Sequence, residues 1–188
     1  MSKTIIVLGS SRSNGETRQI VDYLLSKTDW EFLDLKPFQI THYDYEHKNK
    51  DDEFSKIIIP KLLDAERIIV ATPVYWYAMS AQLKTFFDRL SDLLKIRKPL
   101  GRQLRGGKKM FSITCSSDSE EHEGFTMAFK KTAAYLGMEY GGHLHSWIDA
   151  EADKIPEVVS TKIDLFCYQF LLKVNTAFYK ISKKCQLI

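Results

Sequence analysis

The chain reads as an α/β protein: a parallel β-sheet of five strands with helices on both faces. Three observations predict it. Short β-branched runs alternate with amphipathic stretches along the whole length. The first and third runs are apolar at nearly every position, as strands buried on both faces must be. Polar or turn-forming segments follow the first, third and fourth runs, where an open parallel sheet gathers its ligands.

Taken in order, residues 4–8 (Thr-Ile-Ile-Val-Leu) form the first strand, and Ile20, Val21, Leu24 and Leu25 make the apolar stripe of the helix after it. Residues 31–35 alternate more and belong at a sheet edge. Residues 54–63 have helical spacing, with Pro60 either kinking that helix or sitting in its first turn. Residues 67–71 (Arg-Ile-Ile-Val-Ala) are the third strand; Met79, Leu83, Phe86, Phe87, Leu90 and Leu94 mark the next helix, with Ser80 as its N-cap. Residues 109–114 are the fourth strand, followed by a helix carrying Phe125, Phe129, Thr132 and Leu136 and stopped at Gly137. The fifth strand, 139–147, has the weakest signal. Pro156 then opens a final helix over 157–183, whose seam of Val159, Ile163, Phe166, Phe170, Val174, Ala177 and Ile181 covers the sheet. Leu165, Leu171 and Leu172 widen that face enough for a homodimer contact.

Composition bounds the rest. A chain of 188 residues with 44% hydrophobic and 27% charged residues is predicted to be one globular domain over 1–188, because no Gly- or Ser-rich linker divides it. The net charge of +3 is spread out, which argues against nucleic-acid or membrane partners. The longest uncharged run, 68–83, is 16 residues and contains Pro73, short of the roughly 20 a spanning helix needs. The opening apolar run ends at Gly9, too short for a secretory leader. Cys115, Cys167 and Cys185 are odd in number and lack a C-x-x-C pair, so neither a disulfide framework nor a structural zinc is expected, and a reducing cytoplasm is.

The loop from Gly9 to Thr17 joins a buried strand directly to a helix. It supplies hydroxyls, glycines and the guanidinium of Arg12, a set that converges on one anion. Its spacing is neither a nucleotide-triphosphate loop nor a dinucleotide fingerprint, so a phosphate monoester fits it best. The alternative is a serine-rich turn capped by Asn14. After the third strand come Pro73, Val74, Tyr75, Trp76 and Tyr77, a rigid turn with three successive aromatics that could receive a flat ligand or simply pack. A phosphate cradle beside an aromatic shelf matches the two ends of flavin mononucleotide.

These segments, Gly9-Ser10-Ser11-Arg12 through Thr17 and Thr72-Pro73-Val74-Tyr75-Trp76-Tyr77 through Leu90, closely resemble the NAD(P)H-dependent FMN reductase family of flavodoxin-like proteins. The resemblance implies a three-layer sandwich with strand order 2-1-3-4-5, noncovalent FMN, and often a dimer. It implies that Ser10, Arg12, Asn14 and Thr17 surround the FMN phosphate, and that Pro73, Val74, Tyr75 and Trp76 lie against the isoalloxazine ring. Glu16 departs from the pattern, since a carboxylate beside a phosphate is repelled unless it turns away. The cysteine cluster of some relatives has no counterpart in residues 42–47, which excludes an iron–sulfur centre there.

Ser116 and Ser117, after the fourth strand, border the same crevice and are candidates for the ribityl chain or ring edge, although the acids from Asp118 to Glu123 suit a plain helix start. Cys115 has no adjacent base and reads as a small buried residue. His143 and His145 share a strand face without a third ligand, so no metal is assigned. Seven basic residues and no acid lie between Lys95 and Lys109; a solvated loop is the default, and an NADPH 2′-phosphate is the alternative. The function expected is an FMN oxidoreductase that takes hydride from NADPH or NADH and passes electrons to a small-molecule acceptor such as a quinone, an azo or nitroaromatic compound, a ferric chelate or free flavin. Because the cofactor carries the chemistry, no catalytic acid–base pair is assigned. The rivals are a flavodoxin-type electron carrier, disfavoured by the absence of a strongly acidic balance, and a phosphoacceptor module, disfavoured by the lack of aspartates after the first and third strands.

Overall fold

In the computed structural model the described residues are 3–172 apart from 123 and 150, with side chains through 168. Five parallel strands form the sheet: β1 (Thr4–Leu8), β2 (Glu31–Asp34), β3 (Arg67–Tyr75), β5 (Lys109–Ser116) and β6 (Glu139–Trp147). Their order is β2-β1-β3-β5-β6, and a two-residue strand, β4 (Ala78–Met79), folds back antiparallel on the end of β3. Without that hairpin strand the order is the expected 2-1-3-4-5. β2 is at one edge, as its mixed pattern predicted, and β1 is buried at every position.

Alternation along the strands divides the core. Ile5, Val7, Ile68 and Val70 point to the face covered by α2 (Ile59–Asp64), α3 (Ala81–Arg89) and α6 (Met127–Tyr135), meeting Leu62, Leu83, Phe86 and Phe129. Ile6, Leu8, Ile69, Ala71 and Ile113 point the other way, onto Ile20, Val21 and Leu24 of α1 (Glu16–Leu25) and Val159, Ile163 and Phe166 of α7 (Glu157–Leu172). Each fully buried Val, Leu, Ile or Phe among them contributes about 1.5–3 kcal/mol. For the final helix, side chains from Gln169 onward and the chain from 173 lie outside the described residues. Phe170, Leu171, Leu172, Val174, Ala177 and Ile181 therefore fall outside that account.

Several boundaries differ from the expectation, each for a local reason. β3 continues past Ala71 to Tyr75 because β4 gives its end a hairpin partner, which puts Met79 in a strand rather than in a helix. The helix after it bends at Leu90, between α3 and α4 (Ser91–Lys95), and α5 (Lys98–Gly101) follows. Across the bend the fully buried Arg89 donates from Nε to Asp92 at 2.9 Å. Pro60 lies in the first turn of α2, and a π turn over Phe54–Ile58 precedes it. Proline has no N–H for the usual bond to the carbonyl four residues back, and here Ile59 donates to Phe54 instead. Gly137 stops α6 as predicted, with φ at +74°.

The weak fifth strand is real but bulged. The register of β6 against β5 shifts between Met110 and Phe111, opposite Gly141 and Gly142. A Cβ on Gly141 would stand 2.2 Å from the Phe111 ring, and Gly142 has φ +147°, so two glycines occupy a place where β-branched residues would otherwise mark a strand.

Candidate active site

The carboxyl ends of β1, β3 and β5 open onto a cavity of about 370 Å³, within the range of small-molecule sites. The first loop is drawn tight against the start of α3. Ser80 caps that helix as predicted, accepting from Leu83 N–H at 3.1 Å, and its hydroxyl donates to the Gly9 carbonyl at 2.6 Å. A Cβ at Gly9 would lie 2.5 Å from Leu83 Cβ, so glycine is required by the approach rather than by its φ.

α1 opens on Gly15, not on Asn14, and no side chain caps it. Asn14 is exposed, which corrects the capping alternative. The Arg18 amide donates to the Gly15 carbonyl at 2.9 Å, which leaves the amides of Glu16 and Thr17 to another acceptor such as a phosphate monoester. Thr17, buried in that turn, lines the cavity, while Ser10 is buried behind the loop and its Oγ accepts from the Arg12 amide at 3.2 Å. Glu16 also lines the cavity, and its carboxylate accepts from the Arg12 guanidinium at 2.6 Å on the exposed rim. The residue that departs from the family pattern thus holds the arginine expected at the phosphate.

Pro73 and Val74 form one wall, and Cys115, Ser116 and Ser117 another. Tyr75 and Trp76 stand outside this enclosed volume. Tyr75 Oη is 2.9 Å from Ser11 Oγ, tying the hairpin to the first loop. Trp76 and Tyr77 are the two turn residues between β3 and β4, with φ of +49° and +60°, the left-handed pair of a type I′ turn. This is normally an Asn-Gly turn, and two bulky residues hold it at a cost of about 1–2 kcal/mol each. Trp76 is 94% exposed, so it is not a core residue behind the loop. Tyr77 makes an edge contact with His122 at 4.9 Å, linking the hairpin to the segment after β5.

Of the ten expected cofactor residues, Thr17, Pro73, Val74, Ser116 and Ser117 line the cavity, and Ser10, Arg12, Asn14, Tyr75 and Trp76 do not. Ile148 and Asp153, which also line it, come from the connection after β6. The signal for them was their place after the last strand, on the same side as the other three loops.

Burial pushes the Cys115 thiol up to about 11, so it stays protonated and is no nucleophile. His143 and His145 do share a face, where they bond to Ser112 and Thr114 of β5. Among the described residues no three His, Cys, Asp or Glu are placed to hold a metal. The last two residues of the basic run lie at the opposite end of the sheet from the crevice: Lys109 begins β5 opposite Arg67, and Lys108 Nζ donates to the Leu63 carbonyl at 2.6 Å.

The family model described as NADPH-dependent FMN reductase matches residues 2–152. The chain belongs to this family. YwqN of Bacillus subtilis (strain 168), whose name describes an NAD(P)H-dependent FMN-containing oxidoreductase, is 27% identical over 151 residues, covering 76% of this chain and 83% of that protein. An NADPH azoreductase of Bacillus sp. (strain OY1-2) is 31% identical over 98 residues, 52% of this chain and 55% of that one. Among solved structures, the Trp repressor binding protein of Bacillus subtilis superposes with a TM-score of 0.65 at 24% identity, covering 86% of this chain and 96% of the other. An FMN-dependent NADH-azoreductase from Bacillus anthracis, in complex with FMN, gives 0.63 at 11% identity over 90% and 99%. The flavodoxin-like fold is thereby shown, and this member of the FMN reductase family is an NAD(P)H-dependent FMN oxidoreductase.

Proposed function

We propose that FMN lies in the cavity at the ends of β1, β3 and β5, with its phosphate at the uncapped start of α1 and its ring against Pro73 and Val74 beneath the Trp76 hairpin. The observation that carries this reading is the shared enclosure of Thr17, Pro73, Val74, Ser116 and Ser117. Bound there, FMN supplies the hydride chemistry. The chain's residues bind and orient it: the Glu16 and Thr17 amides and the Thr17 hydroxyl hold the phosphate, Ser116 and Ser117 meet the ribityl chain or ring edge, and the apolar wall excludes water from one ring face. Arg12 reaches the phosphate by exchanging Glu16 for it.

The second substrate is a small, flat electron acceptor such as a quinone or azo compound, a reading supported by the azoreductase and quinone-oxidoreductase names of relatives. The chain works as one domain in the cytoplasm and as a homodimer. In support of the dimer, Val158, Leu165 and Tyr168 of α7 are exposed. In support of a reducing compartment, Cys115 and Cys167 are free thiols. No helix among the described residues is long and apolar enough to cross a membrane.

The test is direct. The purified protein should be yellow, should release FMN rather than FAD on heating, and should bleach on anaerobic addition of NADPH or NADH. A protein that neither carries nor takes up FMN overturns the reading, and light scattering decides the dimer.

A further inference from the structure

Five side chains form a continuous ladder between β5 and β6, on the sheet face opposite α1 and α7. Tyr140 Oη lies 2.6 Å from Ser112 Oγ, and Ser112 Oγ lies 2.8 Å from His143 Nδ1. His143 Nε2 is 3.2 Å from Thr114 Oγ1, which is 3.0 Å from His145 Nδ1. His145 Nε2 ends the ladder 3.2 Å from the carbonyl oxygen of Asp118.

The last contact fixes the direction of all the others. A carbonyl oxygen only accepts, so Nε2 of His145 carries a hydrogen and, with one proton per ring, Nδ1 accepts. Thr114 must then donate to His145 and accept from His143 Nε2. Ser112 in turn donates to His143 Nδ1, and Tyr140 donates to Ser112. Ser112, Thr114 and both imidazoles each give one hydrogen bond and take one, Tyr140 gives the first, and both rings are the Nε2–H tautomer. The groups facing the rings fit this assignment. Glu121 Oε1 stands 3.7 Å from the N–H side of His143, and Lys162 of α7 lines the same cavity at the sheet edge as the two histidines. Lys130 of α6 and burial both disfavour a second proton on His143, although Glu121 favours it.

The ladder ends on the third loop of the crevice. The same Asp118 carbonyl accepts from Ser116 Oγ at 2.7 Å, and the Asp118 amide donates back to that hydroxyl at 3.3 Å. Ser116 and Ser117 in turn line the cavity. We propose that His145 is a positioning residue for the cofactor: through the Asp118 carbonyl it holds Ser116 and Ser117 where they meet FMN. This rests on the placement of FMN in that cavity.

The experiment uses the full chain. In FMN-free protein, long-range 1H–15N spectra should show both rings as Nε2–H. FMN should shift the Ser116 and Ser117 amide resonances. His145→Ala should weaken FMN about tenfold and speed hydrogen exchange at the Ser117 and Asp118 amides. His145→Gln, whose amide nitrogen can donate in place of Nε2, should stay within about threefold of wild type. An Nδ1–H tautomer at His145 overturns the proposal, as does wild-type FMN affinity in His145→Ala while the serine amides still shift. Unshifted serine amides show instead that the placement of FMN has failed, and the proposal falls with it. If His145→Ala does not fold, Thr114→Val carries the test: it removes the donor to Nδ1, so unchanged affinity and exchange overturn the proposal.

Discussion

The Ser80 hydroxyl donates to the Gly9 carbonyl at 2.6 Å while accepting from the Leu83 amide, so one side chain joins the end of β1 to the first turn of α3. Leu83 also lies where a Cβ on Gly9 would go. Gly9→Ala should therefore destabilise the protein by about 1–3 kcal/mol through overpacking against a backbone that cannot yield cheaply. Ser80→Ala should cost about 1–2 kcal/mol through the lost cap. Urea unfolding measures both, and a Gly9→Ala midpoint equal to wild type would contradict so close an approach.

The phosphate position proposed above sets Glu16 in competition for Arg12. Replacing Glu16 by Gln removes a negative charge from the cavity wall and frees the guanidinium, so FMN affinity should rise about threefold to tenfold, with riboflavin affinity little changed. Arg12→Ala should weaken FMN by about 1.5–3 kcal/mol. Flavin-fluorescence titrations at two salt concentrations check the pair. Equal gains for riboflavin and FMN would show that charge on the phosphate is not what Glu16 opposes.

The hairpin stores strain that a designed turn would release. Trp76→Asn with Tyr77→Gly restores the residues that a type I′ turn favours and should stabilise FMN-free protein by about 1–3 kcal/mol. The same change should loosen FMN about tenfold, since a ring contact contributes roughly 0.5–1.5 kcal/mol beyond area burial. Stabilisation without any loss of FMN affinity would mean the exposed indole does not touch the ring.

His143 links stability to pH. Burial lowers its folded pKa from the ordinary 6.5, so on acidification the unfolded chain takes up the proton first. Its contribution is complete above about pH 6.5 and erodes as pH falls from there, with a slope of at most about 1.4 kcal/mol per pH unit. Urea unfolding of wild type and His143→Gln between pH 7.5 and 5 isolates it, because the variant should lack that part of the slope. Parallel curves would place the proton uptake elsewhere.

Much of this was legible in the chain itself. β1 and β3 announced themselves because strands buried on both faces admit mainly apolar residues over most of their length, and Ser80 and Gly137 punctuated the helices by chemistry local to them. The hairpin was not legible. Trp76 and Tyr77 are poor turn formers, and only the pairing of Val74 with Met79 reveals that the chain reverses there. Nor was the role of Arg89, which reads as one more charge at a helix end. In the fold it is fully buried, bonded to Asp52, Asp92 and the carbonyls of Thr41 and Asn49, and so pins the segment between β2 and α2. Such partners are distant in sequence, and no spacing rule connects them. The Glu16–Arg12 pair lay in plain view at i,i+4, but phosphate chemistry drew attention to each residue singly.

The glycine pair in β6 also bears on how copies of this molecule behave together. β6 is the outermost strand on its side of the sheet, nine residues long, and a flat edge of that length is a template for another chain's strand. The irregularity at Gly141 and Gly142 twists it and breaks the row of amides and carbonyls into two short pieces. The opposite edge, β2, is only four residues long. Among the described residues, neither margin of the sheet therefore offers a long straight run on which the protein could polymerise edge to edge.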